Sequence, residues 1–213
     1  AMHWLNEFLK FCRPVSRLTG SEWADAKRFI SLGTTAEPGP WRTYRTPYLQ
    51  EPMDAATDKE TEKVVLMFAS QVGKSEMLLN ILGYYADQEP SPQLMLQPTV
   101  EMAQAFSKER IAPMFRDSPG LAGKLIEGKE GRGTEKKSST TILMKHYSGG
   151  FLALVGANSP AGLASRPIRI LLADEVDRYP ESAGKEGDPL KLAVQRTQNF
   201  GNRKLLMVST PTV

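Results

Sequence analysis

The sequence predicts an α/β fold, a mostly parallel central sheet flanked by helices, with a helical extension at the N-terminus. Short apolar runs that suit strands buried on both faces alternate with longer segments of helical periodicity. Strands that alternate with helices in this way usually form a parallel sheet with crossover helices. The apolar runs lie at 64–68, 93–97, 168–173 and 205–208.

The chain is predicted to divide near residue 60. Residues 1–60 are expected to form the helical extension and a loop. Apolar positions within 3–33 fit two helices, and Ser21 is the expected N-cap of the second. Residues 34–52 are rich in proline and glycine, which predicts an ordered loop.

Residues 61–213 are predicted to form the core of the fold. Helices are expected from Ser75 to about Tyr85 and over 99–115, each directly after a strand. Residues 120–139 are rich in glycine and charge, which predicts a mobile loop. Two further strands joined by a turn are expected at 140–145 and 150–155.

Composition excludes several classes of protein. The net charge of +3 permits a polyanionic partner without requiring one. The single cysteine, Cys12, excludes a disulfide within the chain and suits a reducing cytoplasm. His3 and His146 are far apart in sequence, which argues against a zinc site. No apolar run approaches the length of a membrane span, and no signal peptide is recognisable.

A phosphate-binding loop is the sharpest motif. Gly73-Lys74-Ser75 follows a predicted strand and opens a predicted helix, the context that a Walker A motif requires. Backbone N–H groups there would cradle phosphates, Lys74 would neutralise their charge, and Ser75 would ligate Mg²⁺. The usual first glycine is replaced by Phe68, so an ordinary turn with an exposed lysine is the alternative. The predicted ATP-binding residues are Ser70, Gln71, Val72, Gly73, Lys74, Ser75 and Glu76.

An acidic pair ends the strand at 168–173. Asp174 is predicted to reach the Mg²⁺ ion and Glu175 to polarise the attacking water as general base. Ligands bind at the carboxyl ends of parallel strands, which suits both roles. The alternative is a solvated acidic turn. Both motifs in this order predict a P-loop NTPase of the glutamate-catalysed branch, with room for an additional strand between the two motif strands.

Two further segments complete the predicted site. The last apolar run is followed by Ser209, Thr210, Pro211 and Thr212, whose hydroxyl groups could sense the γ-phosphate, although such turns are usually structural. Arg166 precedes the acidic strand and is the candidate for an arginine that stabilises the transition state. Arg169 is a weaker candidate, and a surface salt bridge is the alternative for Arg166.

Four segments in this order resemble the large terminase subunit of tailed phages, in its lambda-like packaging family; they lie at 70–75, 158–166, 172–177 and 209–212. In that family the Walker A loop lacks the first glycine and often carries Gln or Arg at its middle, as Gln71 does here. The segment 209–212 is similar to the family's coupling motif. Trp41 and residues 45–49 resemble the stretch that packs near the adenine.

The resemblance implies an ATPase that uses Mg²⁺ and ATP to move double-stranded DNA into a procapsid. Its implied partners are the portal and the small terminase subunit, its implied assembly is a homo-oligomeric ring, and its implied location is the host cytoplasm. The isolated domain is a possible monomer. The family's nuclease domain follows the ATPase domain and is not expected in 61–213, so no DNA cleavage is expected from this chain.

Some expectations stay open. Residues 68–72 lack the basic residue common in terminases, so Ser70 and Gln71, or a neighbour's arginine, would take over its role. One loop is a candidate for gripping DNA, and the alternative is that it is only solvated. Its basic residues are Lys124, Lys129, Arg132, Lys136 and Lys137. The alternative functions are a helicase-like or repair ATPase that depends on DNA, and a structural module that binds nucleotide without hydrolysing it.

Overall fold

The computed structural model describes residues 17–33, 37–126, 140–159 and 166–211. The α-helices within these residues are α1 Gly20–Lys27, α2 Gln50–Thr57, α3 Lys74–Asp87, α4 Val100–Phe106, α5 Ala112–Asp117 and α6 Pro189–Gln195. A short antiparallel pair is formed by β1 Phe29–Ile30 and β2 Gly39–Pro40. The strands of the main sheet are β3 Lys63–Met67, β4 Pro92–Gln97, β5 Met144–Tyr147, β6 Gly150–Gly156, β7 Ile170–Ala173 and β8 Lys204–Ser209.

The main sheet has the strand order β3-β8-β7-β4-β6-β5. All neighbouring pairs are parallel except β5 and β6. The predicted α/β class with a mostly parallel sheet is therefore confirmed. The expected additional strand between the two motif strands is present as β8, which lies between β3 and β7 and comes from the sequence after both of them.

Helices cover both faces of the sheet. On one face, α3 and α2 bury Met53, Met77 and Ile81, and alternate residues of β7 and β8 such as Leu172 and Leu206 complete this core. The opposite face packs other residues of the same strands, including Leu171 and Leu205, against Ala193 of α6. Burial on both faces explains why these strands are continuously apolar instead of alternating.

The N-terminal part differs from its prediction in two places. Helix α1 begins after Thr19, not Ser21, because the Thr19 hydroxyl accepts from the Glu22 amide while the Glu22 carboxylate accepts from the Thr19 amide, which forms a capping box. The loop predicted at 34–52 contains two 3-10 turns, Thr43–Arg45 and Pro47–Leu49, and ends in α2. The first of the two predicted helices lies outside the described residues.

The core elements follow their prediction with shifted ends. Helix α3 covers the expected residues, and every residue from Glu76 to Ala86 is buried. The helix expected over 99–115 is interrupted by a π-helical turn, Ser107–Ile111, between α4 and α5. The strand expected at 140–145 is instead β5 at Met144–Tyr147, and it pairs antiparallel with β6 as a hairpin. None of the described helices is long and apolar enough to cross a membrane.

Candidate active site

The candidate site lies where β3, β8, β7 and β4 end. Because these four strands are parallel neighbours, their carboxyl ends meet at one edge of the sheet, and ligands of such sheets bind outside that edge. The segments that follow the strands there are the phosphate loop (residues 68–73), the coupling segment (209–211 among the described residues), the acidic pair and Gln97. The opposite edge, where these strands begin, is called the amino edge below.

The phosphate loop has the backbone of an anion cradle. Gly73 takes a left-handed conformation with φ of 86°, directly before α3, which a residue with a Cβ adopts only at a cost. Gln71 also has positive φ, at 59°. The Lys74 ammonium is buried and donates to Ala69 O at 2.6 Å, to Phe68 O at 3.3 Å and to Thr210 Oγ1 at 2.8 Å. These bonds use all three N–H donors of the lysine.

The side chains of Ser75 and Asp174 are hydrogen-bonded to each other across the site. The Ser75 hydroxyl donates to Asp174 Oδ2 at 2.9 Å, and the Gln97 amide donates to the same oxygen at 3.3 Å. The other oxygen, Asp174 Oδ1, is buried and accepts no hydrogen bond from any described residue. Burial raises the pKa of Asp174, and the bonds from Ser75 and Gln97 oppose that rise. An unpaired carboxylate oxygen beside a hydroxyl is a donor set that suits Mg²⁺, so these residues fit the ion.

Glu175 follows in a strained conformation. Its φ of 53° and ψ of 49° place it in the left-handed region, which costs a residue other than glycine roughly 1–2 kcal/mol. Within the described part of the chain its Oε2 is buried without a hydrogen bond, and it forms an ion pair with Arg178 Nε at 3.6 Å. Strain of this kind persists where the surroundings fix it and is common at functional sites. The carboxylate therefore lies at the edge with one oxygen that accepts no hydrogen bond from the described residues.

The coupling segment bridges the two motifs. Ser209 Oγ accepts the Asp177 amide at 3.0 Å, in the turn after Glu175. Ser209 O accepts the Phe68 amide at 3.2 Å, at the start of the phosphate loop. Thr210 holds Lys74, as described above. Pro211 is exposed, and Thr212 lies outside the described residues.

On the β3 side, Tyr48 touches the phosphate loop. Its hydroxyl donates to Val72 O at 3.2 Å, and its ring meets Phe68 edge-on with 6.1 Å between centroids. Trp41, from the same predicted adenine-side stretch, is 6% exposed and belongs to the core, with its indole N–H bonded to Thr43. Of these two aromatic residues, only Tyr48 lies against the loop.

Glu76 does not face the phosphate cradle with its side chain. Its carboxylate is buried and forms ion pairs with Arg28, at 2.9 Å, and with Arg110. Only its backbone amide, in the first turn of α3, is placed for phosphate contact. The ATP-binding role predicted for Glu76 therefore has no support from the position of its carboxylate.

The predicted arginines lie far from the carboxyl edge. The Arg166 guanidinium is exposed and sits over the Phe151 ring, 5.6 Å from its centroid. Phe151 pairs with Pro92 at the start of β4, so Arg166 lies at the amino edge of the sheet. Arg169, directly before β7, is buried in an ion pair with Glu89. The prediction that either arginine completes the site of its own chain is not supported by this geometry.

Of the five basic residues in the predicted DNA grip, the structure describes only Lys124. Lys124 forms an ion pair with Asp87 at 2.6 Å, which fixes it against the end of α3. Its four predicted partners in that loop, Lys129, Arg132, Lys136 and Lys137, lie outside the described residues. No group of three or more His, Cys, Asp or Glu side chains that could hold a metal ion occurs in the described part of the chain.

Sequence reasoning missed Gln97, Arg28 and Arg110. Gln97 is 2% exposed and reaches Asp174 from the end of β4. The signal that could have identified it is its position, because a polar residue that ends a buried strand of a parallel sheet lies at the ligand-binding edge. Arg28 and Arg110 had no such signal, because their contact with Glu76 joins segments that are distant in sequence.

Known proteins resemble the chain over most of its length. Residues 35–213 match the family described as "Phage terminase large subunit gpA, ATPase domain". The large terminase subunit of Enterobacteria phage P21 is 26% identical over 197 residues, 92% of this chain and 30% of that protein. The large terminase subunit of Escherichia phage lambda is 27% identical over 197 residues, again 92% of this chain and 30% of that protein. The chain thus spans under a third of the length of these relatives.

A solved structure supports the fold independently. The large terminase ATPase domain of Thermus phage P74-26 superposes with a TM-score of 0.51 at 17% identity, over 77% of this chain and 64% of that one. At that identity the likeness concerns the fold alone. The match of residues 35–213 covers well over half of the chain, so the chain belongs to the family of the phage terminase large subunit gpA ATPase domain.

Proposed function

We propose that this chain binds ATP with Mg²⁺ and hydrolyses it to drive double-stranded DNA into a procapsid. The observation that supports it most is the contact set of Lys74, Ser75, Asp174 and Thr210, which joins both nucleotide motifs and the coupling segment at one edge of the sheet. Family membership supports the ATPase activity, and the large terminase subunits of the relatives support the packaging role.

The phosphates of ATP would lie over Gly73, Lys74 and Ser75. The amides that open α3 have no partners within the helix, and the helix dipole favours an anion there. Ser75 and Asp174 would hold the metal ion. The hydroxyl can do so without breaking its bond to Asp174, because it donates its one hydrogen and keeps its lone pairs. Bound Mg²⁺ would neutralise the charge that develops on the phosphate oxygens.

Glu175 would accept the proton of the attacking water. Glu175 follows β7 directly, its left-handed backbone sets the direction of the carboxylate, and Oε2, which accepts no hydrogen bond within the described residues, is an available acceptor. A positioned general base of this kind contributes roughly 10²–10⁴-fold to the rate. The proton leaves the water as its oxygen attacks the γ-phosphorus, and the bond to the bridging oxygen of ADP breaks.

Lys74 would transmit the state of the site to the coupling segment. Since its three donors are all engaged, contact with a phosphate requires that one bond be given up. Two of the acceptors belong to the phosphate loop itself, whereas Thr210 belongs to the coupling segment. ATP binding would therefore release or redirect Thr210, and loss of the γ-phosphate would restore the bond.

The remaining parts of the proposal rest on the relatives. An arginine for the transition state would come from a neighbouring subunit of a homo-oligomeric ring, and Arg166 is exposed and accessible for that role. DNA contacts would be made to phosphates, because a packaging motor must accept any sequence. The portal and the small terminase subunit would be its partners, in the host cytoplasm.

Steady-state ATP hydrolysis, measured against protein concentration with and without Mg²⁺, tests the proposal. We expect turnover that needs Mg²⁺ and falls at least about 100-fold in Glu175→Gln. Specific activity that rises with concentration would support an arginine from a neighbour. Glu62→Gln is a matched control, since that carboxylate lies at the amino edge and its ion pair with Arg203 is partly exposed. Failure of the wild-type chain to bind ATP at all would refute the proposal.

Two other functions are separated by further measurements. A helicase-like ATPase would unwind a forked duplex, which a packaging motor should not do. A module that binds nucleotide without hydrolysis would show no difference between wild type and Glu175→Gln. The presence of Lys74 and Glu175, with a Glu175 Oε2 that accepts no hydrogen bond within the described residues, favours hydrolysis over the second alternative.

A further inference from the structure

Gln97 is the buried polar residue of the carboxyl edge that no nucleotide motif contains. It ends β4, is 2% exposed, and its amide donates to Asp174 Oδ2 at 3.3 Å. The segment that follows β7 is tied to the same strand end by two more hydrogen bonds. The Asp174 amide donates to Leu96 O at 3.0 Å, and the Tyr179 hydroxyl donates to Leu96 O at 2.9 Å.

The hydrogen bond from Gln97 sets the orientation of the Asp174 carboxylate. One oxygen accepts two bonds, from Ser75 and from Gln97, and the other accepts none although it is buried. With Ser75 alone, the plane of the carboxylate could turn about the Cβ–Cγ bond. A second donor, from strand β4, fixes that plane and with it the direction in which Oδ1 points.

A second glutamine on the same strand serves a different purpose. Gln93 is fully buried four residues earlier, on the same face of β4, and its amide donates to Leu82 O at 3.0 Å and Tyr147 Oη at 2.9 Å. These partners lie in the core near the amino edge. The strand therefore carries two buried amides, one bonded to core groups and one bonded to the proposed metal ligand.

We infer that Gln97 is a positioning residue, which holds the Asp174 carboxylate so that Oδ1 faces the metal ion of the ATP complex. The inference rests on the proposed function, because it concerns the same Mg²⁺–ATP site. Groups that hydrogen-bond a metal ligand orient it, and their removal typically lowers metal affinity by roughly 10–100-fold. Gln97 therefore acts through Asp174 and does not itself touch the nucleotide.

The test compares Gln97→Met with Gln93→Met, since methionine keeps the length of glutamine and removes its amide. Binding of a fluorescent ATP analogue is measured first in EDTA and then against increasing Mn²⁺, which replaces Mg²⁺ as the probe. Gln97→Met should leave affinity in EDTA unchanged and raise the half-saturating Mn²⁺ concentration by about 10-fold or more. Gln93→Met should match the wild type in both measurements.

Several outcomes would overturn the inference. Equal Mn²⁺ dependence of Gln97→Met and wild type would show that Asp174 needs no second donor. An equal loss of affinity in EDTA and in Mn²⁺ would show general damage to the site. If Gln97→Met does not fold, Gln97→Asn, which keeps the amide but is one methylene too short, carries the same expectation. A wild-type chain that binds no ATP would instead refute the proposed function.

Discussion

The two ends of strand β7 each carry a buried charge, and the two charges differ in how fully they are hydrogen-bonded. At the amino edge, Arg169 donates to Asn202 O at 3.2 Å, Ser91 Oγ at 2.7 Å and Glu89 at 2.9 Å, and its guanidinium lies 5.5 Å from the centre of the Tyr85 ring. At the carboxyl edge, Asp174 keeps one buried oxygen without a partner. The first charge stabilises the fold, whereas the second is left free for a ligand. Of these two buried charges, only the one at the carboxyl edge keeps an oxygen that a ligand could use.

The largest effect that would sharpen this comparison is expected from Arg169→Met. Removal of one partner from a buried ion pair leaves Glu89 and the other acceptors unpaired, so the free energy of unfolding should fall by about 3 kcal/mol. Urea denaturation measures it. Arg203→Met removes a more exposed pair with Glu62 and should cost less than about 1 kcal/mol. Nucleotide affinity of folded Arg169→Met should be unchanged, and a loss of ATP binding would break the comparison.

Thr210→Val should tighten ATP binding. Thr210 would compete with phosphate for Lys74, and removal of a hydrogen bond worth about 1 kcal/mol corresponds to about fivefold in affinity. Equilibrium titration with a fluorescent ATP analogue measures the change. Ser209→Ala leaves the Lys74 bond in place and should show no tightening. Weaker binding in Thr210→Val would mean that Thr210 contacts the nucleotide directly.

Glu175→Asn should stabilise the fold while abolishing hydrolysis. Asparagine tolerates the left-handed backbone better than glutamate, and the change also removes a buried oxygen without a hydrogen bond. The free energy of unfolding should rise by about 1 kcal/mol. Asp177→Asn is the control, because Asp177 lies in the same turn but does not have positive φ. It should leave the free energy of unfolding nearly unchanged. Destabilisation by Glu175→Asn would show that the left-handed backbone costs glutamate no more than it costs asparagine at this position.

The smallest effect concerns Lys204, at the amino edge. Burial lowers the pKa of Lys204 from its usual 10.5, so the folded chain releases this proton at lower pH than the unfolded chain. The free energy of unfolding should therefore rise as pH increases toward 10.5. Lys204→Met should flatten that rise in urea denaturation at alkaline pH. Equal pH slopes for variant and wild type would contradict the assignment.

Local sequence signals predicted much of the fold. Continuous apolar runs located β3, β4, β7 and β8, and the Gly-Lys-Ser turn located the start of α3, whereas β5 lies a few residues after its expected position. The same signals were sufficient to expect Lys74, Ser75 and Asp174 at one site, where the structure places them in contact. Their catalytic roles stay predictions. The capping box at Thr19 was also readable, but Ser21 offered a competing cap two residues later.

What sequence could not predict depends on contacts between distant segments. Arg166 was assigned from its place before β7, but the strand begins at the amino edge, so a residue ahead of it lies far from the phosphate loop. The Glu76 carboxylate was drawn away from the loop by Arg28 and Arg110. Neither the position of Arg166 nor the ion pairs of Glu76 can be recognised from sequence periodicity or spacing, because each depends on how helices and loops pack on the sheet.

The position of β8 has a consequence for how the chain folds. β8 pairs with β3 on one side and with β7 on the other, although it follows both in sequence. A nascent chain that has already exposed β3, β4, β6 and β7 to solvent therefore still lacks the strand that joins β3 to the rest. Such long-range parallel pairing is slow and leaves strand edges open to aggregation. Truncation before Lys204 would thus detach the phosphate loop's own strand from the sheet.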